Sequence, residues 1–502
     1  MAQDQGEAVA IDISDAVLSS VRLNINALNR HPMAPESFAI FRVPAYIRQR
    51  NQHLYEPRMV SVGPYGRGDR PVLRTMEQHK WRYLQDFLSR NPYSRIDDYI
   101  AVIRELEPRA RQRYFEPVEL SADEFVEMLL LDGCFVLEFI IKWSQGDDDS
   151  VCTTGWSLPL VCGDLLLLEN QIPLFVLEKL FELVTFTMGD NVPTLMELLV
   201  NYLASENIES PEEEMLDSRA STNASVHGEA KDFHHLLHLY YRCYVLRPRT
   251  DPTGSTICGT ILKWLKPSKI CASLLSYLRF KNDEWHAPAG KKRSPNTIPS
   301  ATVLLQAGVT FRKKNHHHHH HPGSFLDVTF HGGVLEIPFL SVNNSTLSLF
   351  TNLVAFEQCS GCKPEEAYMT SYATFMNCII DTPRDVAILQ QSGILENQLA
   401  SDMDLAVFFN EFSNCPPMYY KEHYLAGLFR EVREYCNSDW HNWKAKLVRD
   451  YFTYPWPILS LSAAAVILIS TLVQTFFAVY SYYHPRKQLS RSEQTLDACK
   501  LV

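Results

Sequence analysis

The stretch Ile458–Tyr480, ILSLSAAAVILISTLVQTFFAVY, contains no charged residue. A helix of roughly 23 residues is about 35 Å long, enough to cross the hydrocarbon core of a bilayer. Aromatic residues flank it: Tyr454 and Trp456 before, Tyr480, Tyr482 and Tyr483 after. Such residues gather where a spanning helix meets the headgroups. Charges resume just outside, with Lys444, Lys446, Arg449 and Asp450 on one side and Arg486 and Lys487 on the other. Buried helices of soluble proteins seldom run this long without charge. The chain is therefore expected to carry a single C-terminal transmembrane helix over 456–482 in a lipid bilayer. A short tail, 483–502, lies on one side and a large domain on the other.

The 502 residues suffice for about two or three domains with a large buried core. A content of 46% hydrophobic and 21% charged residues is ordinary for a globular protein. The net charge of −11 argues against a nucleic-acid partner, which would call for a basic face. The first residues, Met1–Glu7, are acidic and lack an apolar core, so no secretory signal is read there. With the span near the C-terminus, the expectation is tail-anchored insertion into the plasma membrane or an endomembrane, with the bulk in the cytosol. The near-membrane basic residues do not decide orientation: Lys444, Lys446 and Arg449 are balanced by Arg486, Lys487 and Arg491. In the cytosol the twelve cysteines are expected to be mostly buried thiols. The sequons at Asn223, Asn343 and Asn344 would be used only in the opposite topology.

Residues 1–37 read as a loosely structured segment in which Ile13, Val17, Leu18, Val21, Ile25 and Leu28 fit one short amphipathic helix. Ile40–Pro44 is extended, because proline pushes the preceding residue out of the α region. Val60–Gly68 is a second extended piece whose glycines fall in the wrong order for a dinucleotide loop. A helix over 72–90 follows. Ser121 and Glu124 form a capping box that opens a helix to Trp143, apolar nearly all round and so expected at the centre of the core. The leucine run at 164–169 reads as a buried helix that must stop before Pro173, which then suits the first turn of a helix over 174–184. Asn170 and Gln171 fall in the kink, where their amides are expected to satisfy freed backbone groups. Polar linkers are expected near 205–232, 281–298 and 312–323, the last holding the histidine run His316–His321. A short helix over 233–246 lies between the first two. Ala301–Phe311, Ser324–Phe330 and Val334–Ile337 read as strands of a small antiparallel β element around 301–338. Helices are then expected at 346–358, 367–381, 385–392 and 402–412. Gly393 stops the third, Ser401 caps the fourth, and a final helix starts near Tyr419. The fold class is mainly α, or α+β by virtue of that one element, with a family domain spanning 38–454.

Several motifs follow one another in a specific order. They are Val60–Tyr65 (VSVGPY), Met76–Tyr83 (MEQHKWRY), Asp132–Phe135 (DGCF) and Asp164–Pro173 (DLLLLENQIP). Further on come Ile298–Ala301 (IPSA), Asn352–Cys359 ending in AFEQC, Tyr368–Met376 (YMTSYATFM), Pro455-Trp456 and Gln474-Thr475. In this order the chain closely resembles the plant domain-of-unknown-function-247 family, over roughly residues 40–482. The resemblance implies a mostly helical fold with one C-terminal membrane segment and no established catalytic residues. It also implies kinship with grass members at loci that govern pollen self-incompatibility, thought to act in male-side recognition. One departure is visible: where family members usually carry histidines after the Gly-Pro-Tyr turn, this chain has Gly66-Arg67-Gly68.

The familiar nucleophile and phosphate signatures are absent: no G-x-S-x-G, P-loop or H-E-x-x-H occurs. Cys359 and Cys362 form a lone C-x-x-C without a second pair for zinc, and read as an ordinary thiol pair. His234 and His238 are one helical turn apart but lack an evident third ligand. Glu127 and Glu138 share a helical face, with Asp132 elsewhere on the same helix. They are expected to pair with Lys142 or with basic residues of other helices rather than catalyse. Asp132-Gly133 inside a helix is an anomaly, since glycine there costs about 1 kcal/mol relative to alanine; close helix packing explains it as well as a ligand would. Cys499–Val502 has the outline of a prenylation box, but Lys500 is not aliphatic.

The reading is a non-enzymatic, single-pass membrane protein that binds another protein, in cell recognition such as pollen self-incompatibility, with no cofactor and no metal. One rival is an enzyme built on the carboxylates of 124–169; another is a membrane scaffold. A deep pocket joining Asp132, Glu138 and Glu169 would favour the enzyme. The motif residues singled out are Asp132, Gly133, Glu169, Asn170, Gln171 and Pro173. Within the span, from Ile458 to Tyr480, Gln474 and the Ser460/Ala464 pair are expected to support weak self-association.

Overall fold

A computed structural model describes residues 15–30, 39–49, 51–67, 70–146, 157–185, 193–205, 233–245, 297–314, 325–411, 423–438 and 455–483. The acidic linker, the histidine run, most of the basic linker, Gly68, Asn223 and the C-terminal tail lie outside the described residues.

The mainly helical class holds. In chain order the first helices are α1 (Asp15–Arg30), α2 (Ala45–Arg48), α3 (Pro71–Ser89), α4 (Ile96–Arg111) and α5 (Ala122–Gln145). Then come α6 (Ser157–Leu165), α7 (Leu174–Thr185), α8 (Leu195–Ser205), α9 (Leu236–Tyr244) and α10 (Ala301–Gln306). The second half holds α11 (Asn344–Cys359), α12 (Tyr368–Ile379), α13 (Pro383–Gln391), α14 (Asp402–Glu411), α15 (Ala426–Cys436) and α16 (Pro455–Tyr483).

Helix α5 is the centre of the first half. Ser121 accepts from the Glu124 amide and Glu124 from the Ser121 amide, so the capping box is present. From Phe125 to Ile141 all residues but Glu127 are buried. Helices α3, α4, α7 and α8 pack around it, which is why it carries no polar face. In the second half α11 packs on α6 and α12, and α9 touches both α8 and α11. One continuous core of buried side chains runs from Ile40 to Val432. The two halves therefore share an interior.

Three expectations change. The leucine run is buried, but the helix there is Ser157–Leu165, and residues 166–170 form turns. Side chains that capture the local carbonyls, described below, end the helix early. Ala301–Gln306 is a helix, not a strand: Asp385 accepts from the Thr302 amide at 2.7 Å in its first turn, and the segment has no alternating polarity. The small sheet is mixed: β1 (Thr310–Lys313) lies parallel to β3 (Val334–Ile337), and only β2 (Thr329–His331) runs antiparallel to β3. A second sheet pairs β4 (Leu340–Val342) with β5 (Leu395–Asn397) in parallel. Helices α4 and α8 went unread in the sequence, and the last helix before the span is described only over Ala426–Cys436. Gly393 ends α13 at φ +68°, and Ser401 caps α14 through the Asp404 amide, both as expected.

Helix α16 begins with Pro455 and Pro457 in its first turn, where proline costs no hydrogen bond. Its stretch Ser462–Tyr483 is long and apolar enough to cross a membrane, and none of it is buried against the domain.

Candidate functional site

The segment Arg58–Gly63 pairs with no strand. Buried backbone groups need partners, and here side chains from distant motifs supply them. Asp164 accepts from the amides of Arg58 (2.9 Å), Met59 (2.6 Å) and Val60 (2.8 Å). Asn170 accepts from the Val62 amide at 2.6 Å and donates to the carbonyls of Val60 and Asp164. Asp132 accepts from the Gly63 amide at 2.8 Å, and Lys80 donates to the Ser61 carbonyl. Gly63 sits at φ +79° against the Gln171 carbonyl, so a side chain here would meet both a strained backbone and a clash.

Lys80 and Asp132 form an ion pair at 2.6 Å with neither side chain reached by solvent. Lys80 also bonds Glu77. Asp132 thus has a cation and an amide donor, the arrangement that makes a buried charge tolerable. Gly133 lies beside it because α7 crosses there: a Cβ would stand 2.5 Å from Leu180 Cδ1. Close helix packing therefore accounts for the glycine.

The ENQIP residues brace the turn that replaces the expected helix end. Gln171 donates to the carbonyls of Leu165 and Leu167, both at 2.8 Å, and accepts from the Leu237 amide. Tyr114 donates to the Gln171 carbonyl. Glu169 accepts from the Val43 amide at 2.9 Å and pairs with Arg48 at 2.7 Å. Pro173 precedes α7, whose first amide, Leu174, is taken by the His234 carbonyl at 2.8 Å. The expected role of Asn170 and Gln171 is observed.

Motifs of the second half join the same brace. Asn352 accepts from the Leu168 amide at 2.8 Å and donates to the Leu54 carbonyl. Glu357 of AFEQC accepts from the amides of Met369 and Thr370, both at 2.7 Å, and so caps the YMTSYATFM helix. Tyr241 also donates to Glu357 at 2.7 Å. Burial pushes Glu357 up to about 7 against the pull of those donors, and pushes Asp164 up to about 6.

The carboxylates do not share a cavity. Asp132 belongs to Lys80, Glu138 to Arg90 by two bonds of 2.6 and 2.8 Å, and Glu169 to Arg48. Lys142 pairs with Asp86 at 2.6 Å. Glu127 is exposed while Glu138 is buried, so their common face does not give them a common environment. Burial also raises the Glu138 and Glu169 carboxyls above their ordinary range. Cys359 and Cys362 are free thiols pushed up to about 11 by burial, which keeps them protonated. His238 accepts from the His234 amide at 3.1 Å, and burial drops its ring to about 3. Among the described residues no three His, Cys, Asp or Glu side chains gather as for a metal ion.

Lys80, Asp164, Asn352 and Glu357 were missed as individuals. Lys80 had a signal: it lies in phase with Met76, Tyr83, Leu84 and Phe87 on the buried face of α3. A lysine in an apolar stripe requires a buried carboxylate, and Asp132 stood unexplained in α5.

A surface cleft of about 390 Å³ opens elsewhere, lined by Arg109, Arg113, Phe175, Glu178, Lys179, Glu182, Phe233 and His234. None of the motif carboxylates reaches it.

Compared with known proteins, residues 40–470 match the model of a family described as a plant protein of unknown function, DUF247. The chain belongs to this family. Among curated proteins it is 28% identical over 459 residues to the UPF0481 protein At3g47200 of Arabidopsis thaliana, covering 90% of this chain and 88% of that one. It is 24% identical over 514 residues to the putative UPF0481 protein At3g02645 of the same plant, covering 91% and 93%. No solved structure matches. The DUF247 motifs in this chain are largely the mutual contacts of its interior.

Proposed function

We propose that this DUF247 protein is a single-pass, C-terminally anchored membrane protein whose helical domain acts by binding another protein, in cell recognition such as pollen self-incompatibility. The supporting observation is how the carboxylates of 124–169 are used. Asp132, Glu138, Asp164 and Glu169 each hold a different internal partner, so none is left facing a common substrate. Large exposed side chains, among them Tyr46, Val72, Trp81, Tyr93 and Phe115, remain on the outer surface for recognition. The test is proximity labelling in reproductive tissue, with the full chain compared against the anchor alone. A set of proteins enriched only by the full chain is expected. Equal labelling by both would overturn the reading.

The bulk is assigned to the cytosol, in the plasma membrane or an endomembrane, since moving a short tail across is easier than moving the domain. Glycosylation tests this. Asn343 uses its side chain to cap α11, accepting from the Ser345 and Thr346 amides, whereas Asn344 is exposed. No glycosidase-sensitive shift from Asn344 or Asn223 is expected; a shift abolished by Asn344→Gln reverses the topology. Self-association through α16 is assigned to the Ser460/Ala464 face and the Gln474 amide, which seeks a partner in lipid. Gln474→Leu with Ala464→Leu should weaken it in a membrane two-hybrid assay. An unchanged signal would remove that assignment.

A further inference from the structure

Helix α1 presents an apolar face that the core does not use. Its described side chains, residues 17–23 and 25, are all exposed, and none belongs to the continuous core. At 3.6 residues per turn, Val17, Leu18, Val21 and Ile25 fall within an arc of about 100°. Leu28 continues the spacing in the sequence, and positions 19, 23, 26 and 30 fall on the opposite side. The 16 residues of α1 include Val17, Val21 and Ile25, which are β-branched, and the weak helix formers Ser19, Ser20, Asn24, Asn26 and Asn29. An isolated helix of this length is marginal in water even when its residues are strong formers. The apolar face therefore needs a cover.

The charges of α1 indicate which cover. Asp15 stands at its first position and Arg30 at its last, each at the end that the helix dipole favours. Arg22 is the one other charge. Contact with an anionic surface calls for rows of Lys and Arg on the polar face, and α1 has none. A second copy paired through the same stripe would need at least about three heptads, and 16 residues hold little more than two. A polar face of neutral Ser and Asn instead suits uncharged headgroups, with gaps between them that admit aliphatic side chains. Such a surface is within reach. Residues 439–454 join the domain to α16, and residues 31–38 join α1 to the domain. Fully extended, these segments span at most about 58 and 29 Å, so the anchor holds the domain close to the bilayer.

We propose that α1 is an interfacial helix that lies on the lipid surface beside the anchor, with Val17, Leu18, Val21 and Ile25 inserted between loosely packed neutral headgroups. The proposal rests on α16 spanning the bilayer, in either orientation, and is independent of the protein-binding reading.

The test uses the full chain reconstituted into liposomes, with an environment-sensitive fluorescent amino acid at position 21 or, about 200° away, at position 23. A small fraction of the lipid carries bromine on its acyl chains as a quencher. In unsaturated phosphatidylcholine, quenching at position 21 should exceed that at position 23 at least about threefold. It should fall severalfold in saturated, tightly packed phosphatidylcholine and stay unchanged when phosphatidylserine is added. Leu18→Asp with Ile25→Asp should abolish it; both positions are exposed, so the core is untouched. Equal quenching at the two positions, indifference to packing, or dependence on phosphatidylserine would overturn the proposal. So would a shielded, blue-shifted probe at position 21 without bromine quenching, which would mean that a protein surface covers the face. Alkaline extraction of the same liposomes separates the two readings. A chain released by alkali refutes the span and the proposal with it, whereas a retained chain without quenching refutes the role of α1 alone.

Discussion

Gly133 offers a prediction whose sign depends on a single neighbour. In a helix interior, replacing glycine by alanine gains about 1 kcal/mol from reduced backbone entropy. At Gly133 the added methyl would stand 2.5 Å from Leu180 Cδ1, with Ile172 Cδ1 at 3.8 Å and Leu177 Cδ2 at 3.9 Å. The last two are ordinary contacts; the first is not. Leu180 is fully buried and cannot swing into solvent. Overpacking of this kind costs about 1–3 kcal/mol. Gly133→Ala should therefore destabilise by about 0–2 kcal/mol, the difference between overpacking and propensity. Leu180→Ala alone should cost about 2–5 kcal/mol through the cavity it leaves. In that background the clash is gone, so Gly133→Ala should stabilise by about 1 kcal/mol. The coupling between the sites is then about 1–3 kcal/mol, within the range found for residues in contact. The assay is urea unfolding of the detergent-solubilised full chain, read as midpoint shifts at constant slope. A raised midpoint for Gly133→Ala in the native background, or a lowered one in the Leu180→Ala background, would refute helix packing as the reason for the glycine.

Two further outcomes test the interior brace. Lys80→Met should destabilise by about 3–5 kcal/mol because it leaves Asp132 charged and buried; adding Asp132→Asn should recover part of the loss, and a double variant as unstable as the summed singles would refute the pairing. Glu357 is pushed up to about 7 by burial, above the unfolded value of about 4.5. The folded state therefore holds more protons than the unfolded one across that interval, and this contribution to stability falls as pH rises. The penalty of Glu357→Gln, read as a thermal midpoint difference, should accordingly shrink between pH 5 and about pH 7, and a penalty that grows instead would show that the amides of Met369 and Thr370 dominate over burial.

Much of this was legible in the sequence where a residue broke a local rule. Asp132-Gly133 stood out in an apolar helix, and both have identifiable reasons in the packing. Asn170 and Gln171 stood beside a proline and do satisfy freed carbonyls. The leucine run misled because hydrophobicity reports burial, not dihedral angles, and all of Leu165–Leu168 is buried whether helical or not. Ala301–Gln306 resembles a strand in sequence for the same reason, although it is a helix. Helix α4 was hidden by its charges and by Pro108 near its end, although Tyr99, Ile103 and Ala110 mark a buried stripe. The pairing of β4 with β5 joins Leu340 to Leu395, and no local periodicity encodes a partner that distant. The cleft at Arg109 was invisible because its lining comes from three separate elements.

The interior brace also bears on what the family motifs mean. A segment such as Arg58–Gly63, largely buried without a neighbouring strand, demands separate acceptors or donors for its backbone groups. Those partners must be polar, short enough to fit, and placed to within a fraction of an ångström, so Asp164, Asn170 and Asp132 have few substitutes. A requirement for these residue types follows from hydrogen bonding alone and needs no substrate. The same helix shows where choice lies: in α3, Lys80 points into the core, while Trp81, its chain neighbour, is 51% exposed. A motif can thus fix the fold through one residue and offer the next to a partner. Under the proposed protein-binding reading, partner choice should follow outward residues such as Trp81, Tyr93 and Phe115 and leave the braced interior unchanged.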